Sequence, residues 1–242
     1  MIISHEKRFA MFRPWKTASQ TTMLRLQRYN DSPYDGFYYY NRYLNRIVHQ
    51  HITCADFASL PESGLGYFTA SFVRNPYDRV YSGFRQLQTD LQNQPHSGFP
   101  TPWIRNLVMA QLAETREQLT RAEYAFDNWI QLVTEEQIYE IGRNTSFPLH
   151  PSHFWTHIAD RKVVDFIGRV ESYETDFRRF LSHVGIDEVP ACNANVVELV
   201  GGSVSNPFGY RYVDRMDSSS IRKINYLFER DFELFDYQRI TP

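Results

Sequence analysis

The first residues with the chemistry to bind an anion lie between an apolar run and a helical pattern near the N-terminus. The run ends at Arg13 and Pro14, and Lys16 is followed by small and hydroxyl residues as far as Thr22. A strand, a tight turn and a helix in this order aim backbone N–H groups and a helix N-terminus at an anion. The lysine and the hydroxyls therefore predict a loop that binds phosphate or sulfate.

This loop differs from the usual nucleotide-binding loop. A Walker loop is rich in glycine and carries its lysine at the end, whereas here Lys16 comes first and Ala18 is the nearest substitute for a glycine. The difference weakens an ATPase or kinase interpretation. The structural alternative is a plain strand-to-helix connection in which Ser19 is the N-cap.

A second strand–turn–helix pattern begins at Arg74, at the predicted carboxyl end of a strand, with Ser82 two helical turns later. Open α/β sheets place their ligands at the carboxyl ends of strands. A guanidinium group and a hydroxyl can together hold a phosphate. The alternative is an arginine that pairs with Asp78 and a serine that faces helix packing.

The elements that must position these residues alternate between strands and helices, which indicates an α/β sheet. Strands are predicted near residues 8–13, 46–53, 67–74 and 163–168. Helices are predicted over residues 19–29, from Pro76 onward, within 103–137, and over 173–184 and 218–232. The segments 88–102 and 191–213 are predicted loops. No repeat or linker is evident, so residues 1–242 are expected to form one domain.

Composition narrows the function classes. The net charge of −2 gives no reason to expect affinity for nucleic acid or for a membrane surface. No run approaches the roughly 18 apolar residues of a membrane span, and the first residues lack the apolar region of a signal peptide. We therefore expect a cytoplasmic protein without stable membrane insertion. Cys54 and Cys192 are too few for a disulfide framework and are interpreted as reduced thiols.

Together the two motifs resemble the cofactor-binding signatures of the carbohydrate sulfotransferases. Residues 16–22 resemble the 5′-phosphosulfate loop, P-K-T-A/G-S-T-S, and residues 74–85 resemble the 3′-phosphate motif, R-D/N-P-F/Y-x-R-x-x-S-x-Y/F-R. Residues 166–177 and 231–237 resemble two further segments of that family. Trp15 stands where a proline usually precedes the lysine, and Gln20 stands where threonine is usual.

The resemblance implies a P-loop-like sulfotransferase fold with three layers, α/β/α, around a central, mostly parallel sheet. It also implies transfer of a sulfuryl group from 3′-phosphoadenosine 5′-phosphosulfate (PAPS), which leaves 3′-phosphoadenosine 5′-phosphate (PAP). Lys16 would contact the oxygen between phosphate and sulfate, and Arg74 and Ser82 would hold the 3′-phosphate. Residues implied around the 5′-phosphate are Thr17, Ala18, Ser19, Gln20, Thr21 and Thr22. Candidates to cover the nucleotide are Ser203, Asn206, Tyr210 and Arg211.

Sulfuryl transfer to an alcohol also needs a base, and His49 and His51 offer two neutral imidazoles at a spacing that points both to one side of a strand. This H-x-H resembles the active site of heparan sulfate 2-O-sulfotransferase, whose loop also shares the arginine found here as Arg13. Arg13 and Lys16 would neutralise the charge that develops during transfer. We take His51 as the base and His49 as its support or a substrate contact. The alternatives are a pair of ordinary histidines or a metal site with Cys54.

The expected acceptor is a hydroxyl of a carbohydrate or glycoconjugate, and its identity is not predicted. His150 and His153 are candidates to line the acceptor cleft. Tryptophans and tyrosines could stack on sugars, although core packing is the simpler interpretation for each. Two other function classes compete: a non-catalytic nucleotide-binding protein of the same fold, and an ATP-dependent phosphotransferase, for which neither a Walker lysine nor a magnesium-binding acid is evident. The sequence does not predict the oligomeric state.

Overall fold

The computed structural model describes residues 1–36, 38–92, 101–140, 149–190 and 206–242. The chain divides into two compact units. Unit 1 comprises Met1–Phe37, Asn41–Arg74 and Ser152–Gly201. Unit 2 comprises Tyr38–Tyr40, Asn75–Pro151 and Gly202–Pro242.

The described residues contain eight strands and nine α-helices. The strands are β1 Ile2–Ser4, β2 Phe9–Phe12, β3 Tyr39–Asn41, β4 Arg46–Val48, β5 Phe68–Val73, β6 His157–Ile158, β7 Arg161–Lys162 and β8 Phe166–Arg169. The helices are α1 Ser19–Leu26, α2 Cys54–Phe57, α3 Pro76–Gln92, α4 Pro102–Arg121, α5 Phe126–Leu132, α6 Glu135–Tyr139, α7 Tyr173–His183, α8 Ser218–Leu227 and α9 Glu229–Leu234. Within this part of the chain, no helix is both long and apolar enough to cross a membrane.

Unit 1 is built on a four-stranded sheet with the order β1-β2-β5-β8. Strand β1 runs antiparallel to β2, whereas β2, β5 and β8 are mutually parallel. The prediction of a central, mostly parallel sheet is therefore confirmed. Because parallel strands end at the same edge of a sheet, the segments that begin at Arg13 and Arg74 leave from one edge.

One face of this sheet packs against α1 and α7. Strand residues on that face alternate with those on the other, as the pleat requires. The buried side chains of this core are Ile2, Phe9, Met11, Leu26, Tyr29, Ala70, Phe72, Phe166, Tyr173, Phe177, Phe180, Leu181, Val184 and Ile186. Aromatic rings fill much of it, and the packed sheet gives the loops at its edge a rigid base.

Unit 2 is mainly helical in its described residues. The α3 ring of Phe84 packs against Trp129 of α5, with ring centroids 5.1 Å apart. Arg79 of α3 is fully buried, lies 3.5 Å from Asp231 of α9, and donates to the carbonyl oxygen of His150 at 2.8 Å. These contacts fix α3, the helix that carries most of the second motif.

Several predicted elements are shorter or more divided than the sequence indicated. The strand expected near 46–53 ends at Val48, because Thr53 forms a capping box with Asp56 and starts α2. The pattern at 103–137 forms three helices, with left-handed residues at Glu123 and Tyr124 between the first two. Residues 218–232 form two helices, broken at Phe228.

Other differences concern the termini of elements and the loops. Sequence reasoning missed β1 and the short β6–β7 pair. The predicted loop at 88–102 is wrong at its start, since α3 continues to Gln92. Residues 93–100 and 191–205, including Cys192 and Ser203, lie outside the described part of the chain. Trp129 and Trp155 are fully buried core residues, whereas Trp103 is 52% exposed.

Candidate functional site

The loop after β2 has an unusual backbone. Lys16 and Ala18 both have left-handed conformations, with φ of 61° and 59°, although neither is a glycine. Right- and left-handed residues in succession turn consecutive N–H groups to one side and form a concave anion-binding nest. Positive φ is strained for residues with a Cβ atom, and such strain clusters at functional sites. The loop thus contains two left-handed residues that are not glycines, a conformation that anion-binding loops use.

Hydroxyl groups within the loop hold its shape. Thr17 Oγ1 donates to the Pro14 carbonyl oxygen at 2.9 Å. Thr22 Oγ1 donates to the Ala18 carbonyl oxygen at 3.1 Å and lies 2.9 Å from the Tyr173 hydroxyl. These two threonines are buried, as is Thr21. They therefore stabilise the turn itself, a role that the sequence did not reveal.

The start of α1 also differs from the simpler interpretation. The N-cap of the helix is Ala18, with no side-chain capping hydrogen bond, and Ser19 is the first helical residue. The alternative in which Ser19 caps the helix is therefore wrong. Ala18 has no side-chain oxygen, so the first-turn N–H groups of α1 receive no side-chain cap. A helix N-terminus that binds an anion needs such N–H groups to be available. Gln20 is exposed on the first turn.

Arg13 lies beneath the loop and is only 2% exposed. Its Nε donates to the Ser19 carbonyl oxygen at 3.1 Å, whereas its Nη1 is buried without a hydrogen-bond partner among the described residues. Burial lowers the pKa of Arg13 to about 10, partly opposed by Asp35, so the guanidinium group remains charged at neutral pH. A buried cation with an unsatisfied N–H beside a helix N-terminus is suited to an anionic ligand.

The two histidines form a stacked pair. Their ring centroids are 4.8 Å apart and their planes differ by 5°. Both residues are buried, and they follow β4 instead of lying within a strand. Trp15 packs against both rings, with centroid distances of 4.7 Å to His49 and 4.1 Å to His51. The residue before the loop lysine thus touches the candidate base, a contact with no signal in the sequence.

The hydrogen bonds of His51 assign its tautomer. Its Nδ1 bonds to the backbone carbonyl oxygen of Arg13, which can only accept, so the proton lies on Nδ1. Burial lowers the pKa of His51 well below its usual 6.5, and positive charge on His49 and Arg13 lowers it further. The ring is therefore neutral at pH 7. Nε2 then carries a lone pair that can accept a proton, which is the electronic state of a general base.

The backbone around this histidine is held from a distant part of unit 1. Trp155 Nε1 donates to the His51 carbonyl oxygen at 3.2 Å. Cys54, three residues later, has its Sγ within 3.1 and 3.0 Å of the carbonyl oxygens of Phe154 and His157, which share its single S–H donor. Burial raises the pKa of the Cys54 thiol to about 12, so it is protonated at neutral pH. His153, on the same 3₁₀ turn as Trp155, is half-buried.

Arg74 is the remaining predicted ligand residue of unit 1. It follows directly after β5, as the sequence predicted, and it is 5% exposed. Lys16, in the loop after β2, is half-buried. The structure thus places Arg13, Lys16, Arg74 and the histidine pair in the same unit.

The second motif continues in unit 2, where Asp78 is the anchoring residue. Its carboxylate accepts from the Asn75 side chain at 3.0 Å and from the backbone N–H groups of Arg211 and Tyr212 at 3.2 and 3.0 Å. The first turn of α3 therefore holds the segment predicted to cover the nucleotide. Sequence reasoning treated Asp78 only as an alternative partner for Arg74. The sequence signal that could have indicated this anchoring role is the presence of an acidic residue within a motif rich in cations.

The other predicted residues of unit 2 have different surroundings. Ser82 is half-buried on α3. Tyr210 is buried, and its hydroxyl donates to the Gln238 carbonyl oxygen at 3.1 Å. His150 is fully buried, with Nδ1 2.8 Å from the Ile138 carbonyl oxygen. The suggested role of His150 at the acceptor stays a prediction, and its burial and hydrogen bond favour a structural role.

Comparison with known proteins gives one family. Searches of curated proteins and of solved structures returned no match. The sequence matches the Sulfotransferase family (sulfotransferase family 2) over residues 1–238. That match does not extend to the likeness with heparan sulfate 2-O-sulfotransferase, which stays a prediction. Because the match covers nearly the whole chain, this protein belongs to the Sulfotransferase family.

Proposed function

We propose that this protein transfers a sulfuryl group from PAPS to a hydroxyl group of a carbohydrate or glycoconjugate, with His51 as the base. The observation that carries the proposal is the position of His51, which bonds through Nδ1 to the Arg13 carbonyl oxygen and keeps Nε2 for an incoming proton. The same Arg13 places a buried cation beside the anion-binding loop. A base and an anion site are thus joined through one residue.

The residues of unit 1 fit the phosphosulfate end of PAPS. Lys16 and Ala18 are left-handed, α1 begins directly after Ala18, and Arg13 Nη1 is buried without a hydrogen-bond partner among the described residues. We propose that N–H groups from Thr17 to Thr21, with the hydroxyl of Ser19, hold the 5′-phosphate, while the Thr22 N–H donates to the Ala18 carbonyl oxygen at 3.0 Å. Lys16 and Arg13 would neutralise the charge that develops on the departing phosphate.

The proposed proton path involves only this chain and the acceptor. Bound PAPS supplies an electrophilic sulfur, at which the acceptor oxygen forms a bond while the bond to the 5′-phosphate breaks in line. His51 Nε2 takes the hydroxyl proton and becomes an imidazolium. His49, stacked on His51 at 4.8 Å, supports the ring or contacts the acceptor. His153 is proposed to contribute to acceptor binding.

The 3′-phosphate is assigned to the second motif. Arg74 offers a guanidinium fork from the end of β5, and Ser82 offers a hydroxyl on α3. Tyr210 and Arg211, in the segment held by Asp78, are proposed to cover the nucleotide. Because the family match spans both units, we further propose that residues 1–242 act as one domain with the three-layer, P-loop-like sulfotransferase fold.

Calorimetric titration with PAP tests the donor assignment. Wild-type protein should bind PAP with micromolar affinity, and Arg74→Ala should weaken binding at least ~10-fold, since charged hydrogen bonds contribute roughly 1.5–3 kcal/mol each. Arg28→Ala, which removes an exposed arginine of unit 1, is the matched control and should bind as wild type does. Absence of PAP binding by a folded wild-type protein would contradict the proposal.

Transfer of labelled sulfate from PAPS to a panel of oligosaccharides tests the chemistry. His51→Ala should lower kcat by roughly 10²–10⁴-fold, the usual contribution of a general base, while PAP affinity stays within about twofold of wild type. His49→Ala should lower kcat less. A non-catalytic nucleotide-binding protein is the competing function, and it predicts PAP binding with no transfer to any acceptor.

A further inference from the structure

Trp15 connects the anion-binding loop with the histidine pair. It directly precedes Lys16 in the anion-binding loop, and its indole ring packs on both imidazoles of the histidine pair. The shorter of these two contacts is with His51, at 4.1 Å between centroids, with 35° between the ring planes. Trp15 is half-buried, and its indole ring packs on the two histidines and not in the hydrophobic core of unit 1. A proline at this position could offer the imidazoles no aromatic face.

The surroundings of His51 disfavour a positive charge on its ring. The charged groups that act on it are His49, Arg13 and the α-amino group of Met1, and all three are cationic when protonated. Asp35 is the acidic group that acts on Arg13 and Met1. Burial opposes the charged form as well. A base in this position accepts a proton with difficulty unless some neighbouring group stabilises the imidazolium.

An indole face is such a group. The face of an aromatic ring carries partial negative charge, and tryptophan binds cations most strongly among the aromatic side chains. Stacking also restricts rotation of the imidazole, whose Nδ1 is already fixed by the Arg13 carbonyl oxygen. The Trp15 indole can therefore both hold the His51 ring in place and stabilise a positive charge on it.

We propose that Trp15 is a positioning residue of the base, which fixes the His51 ring and stabilises its protonated form. The catalytic meaning of this inference rests on the proposed function, in which His51 accepts the proton of the acceptor hydroxyl. The effect of Trp15 on the His51 ring does not rest on the proposed function, because it follows from ring contacts within unit 1.

The test compares Trp15→Phe and Trp15→Leu with wild type by NMR titration of ¹⁵N-labelled histidine rings, over the pH range in which each protein stays folded. Loss of the indole face should lower the pKa of His51 by ~0.4–1.5 units in Trp15→Leu, from the usual strength of cation–aromatic contacts. Trp15→Phe should lower it less. His5, which is exposed and packs against Tyr67 instead, is the internal control, and its ring signals should match those of wild type.

Activity gives a second measurement. The acidic limb of the pH profile of kcat/KM should move to lower pH in Trp15→Leu, with a lower kcat and with PAP affinity unchanged. An unshifted His51 titration in a folded Trp15→Leu protein would overturn the inference, as would a wild-type His51 that never protonates while the protein is folded. Failure of PAP binding in wild type would contradict the proposed function, whereas the NMR result would still decide the contact.

Discussion

At the scale of single residues, the state of His51 follows from the carbonyl acceptor to which its Nδ1–H donates and from its burial away from water. The Arg13 carbonyl oxygen fixes the proton on Nδ1, and burial keeps the ring neutral. An unfolded chain exposes the same histidine with its usual pKa of 6.5. The unfolded state therefore binds a proton in a pH range where the folded state does not, and this difference has a measurable effect on stability.

We predict that acidification below pH 6.5 destabilises the protein, through His51. Because the folded pKa is depressed, the free energy of unfolding should fall by up to ~1.4 kcal/mol per pH unit between 6.5 and the lower folded pKa. His51→Gln, which keeps an N–H donor but does not titrate, should flatten this slope in urea denaturation measured at several pH values. Equal slopes in wild type and His51→Gln would contradict the prediction.

Sequence reasoning found some of these residues and missed the roles of others. Lys16 and the histidines carry recognisable side chains at recognisable spacings, so they could be chosen in advance. Arg13 was chosen as a charge-neutralising residue, but its support of His51 through the backbone carbonyl oxygen, and the role of Trp15, depend on a loop that is left-handed at two non-glycine positions. Lysine and alanine give no sign of such a backbone, because its strain is overcome only by contacts that form in the fold.

At the scale of elements, the parallel strands are held in register by close packing on their shared face. Gly168 of β8 lies opposite Phe72 of β5. A Cβ atom on Gly168 would lie 2.5 Å from a ring carbon of Phe72, closer than packed atoms can approach. The glycine is therefore required by the neighbouring ring and not by its own backbone angles.

We predict that Gly168→Ala lowers the free energy of unfolding by roughly 1–3 kcal/mol, the usual effect of overpacking a core. Gly64→Ala is the matched control, because a Cβ atom there would meet nothing within 4 Å. Adding Phe72→Leu to Gly168→Ala should recover part of the loss relative to the two single variants, which a double-mutant cycle measures. Additive losses would show that the ring is not the cause.

The elements that sequence patterns predicted well are those with long apolar periodicity. Strand β5 and helix α7 appear close to their predicted bounds, with Gly185 in a left-handed conformation after α7. Short elements escaped prediction, because three residues of β1 carry too little pattern. Local capping and turn residues divide the helical region at 103–137 into separate helices. The spacing of apolar residues along the sequence does not reveal these breaks.

At the scale of the whole molecule, the family match spans residues 1–238, while the chain divides into two compact units. The proposed ligand residues occur in both, with Arg13 and Arg74 in unit 1 and Ser82 and Arg211 in unit 2. A ligand that binds residues of both motifs should therefore slow hydrogen exchange in each unit.

We predict that PAP at about 100 times its Kd raises the free energy of unfolding by ~2.7 kcal/mol, as binding to the folded state requires. Hydrogen exchange should slow in residues 13–22 of unit 1 and in residues 76–85 of unit 2. Arg74→Ala at the same PAP concentration should show neither change. Protection confined to unit 1 would contradict the assignment of the second motif to the 3′-phosphate.

The chain order of the parallel sheet bears on how the protein is made. Strands β2 and β5 can pair as soon as Val73 has left the ribosome, but β8 begins only at Phe166, after residues 75–151 of unit 2. At roughly 5–20 residues per second, one edge of β5 waits on the order of 5–20 s for its neighbour. An unpaired edge is a template for aggregation. Newly synthesised chains should thus be most vulnerable while unit 2 is being translated, a period in which a chaperone would have the most to protect.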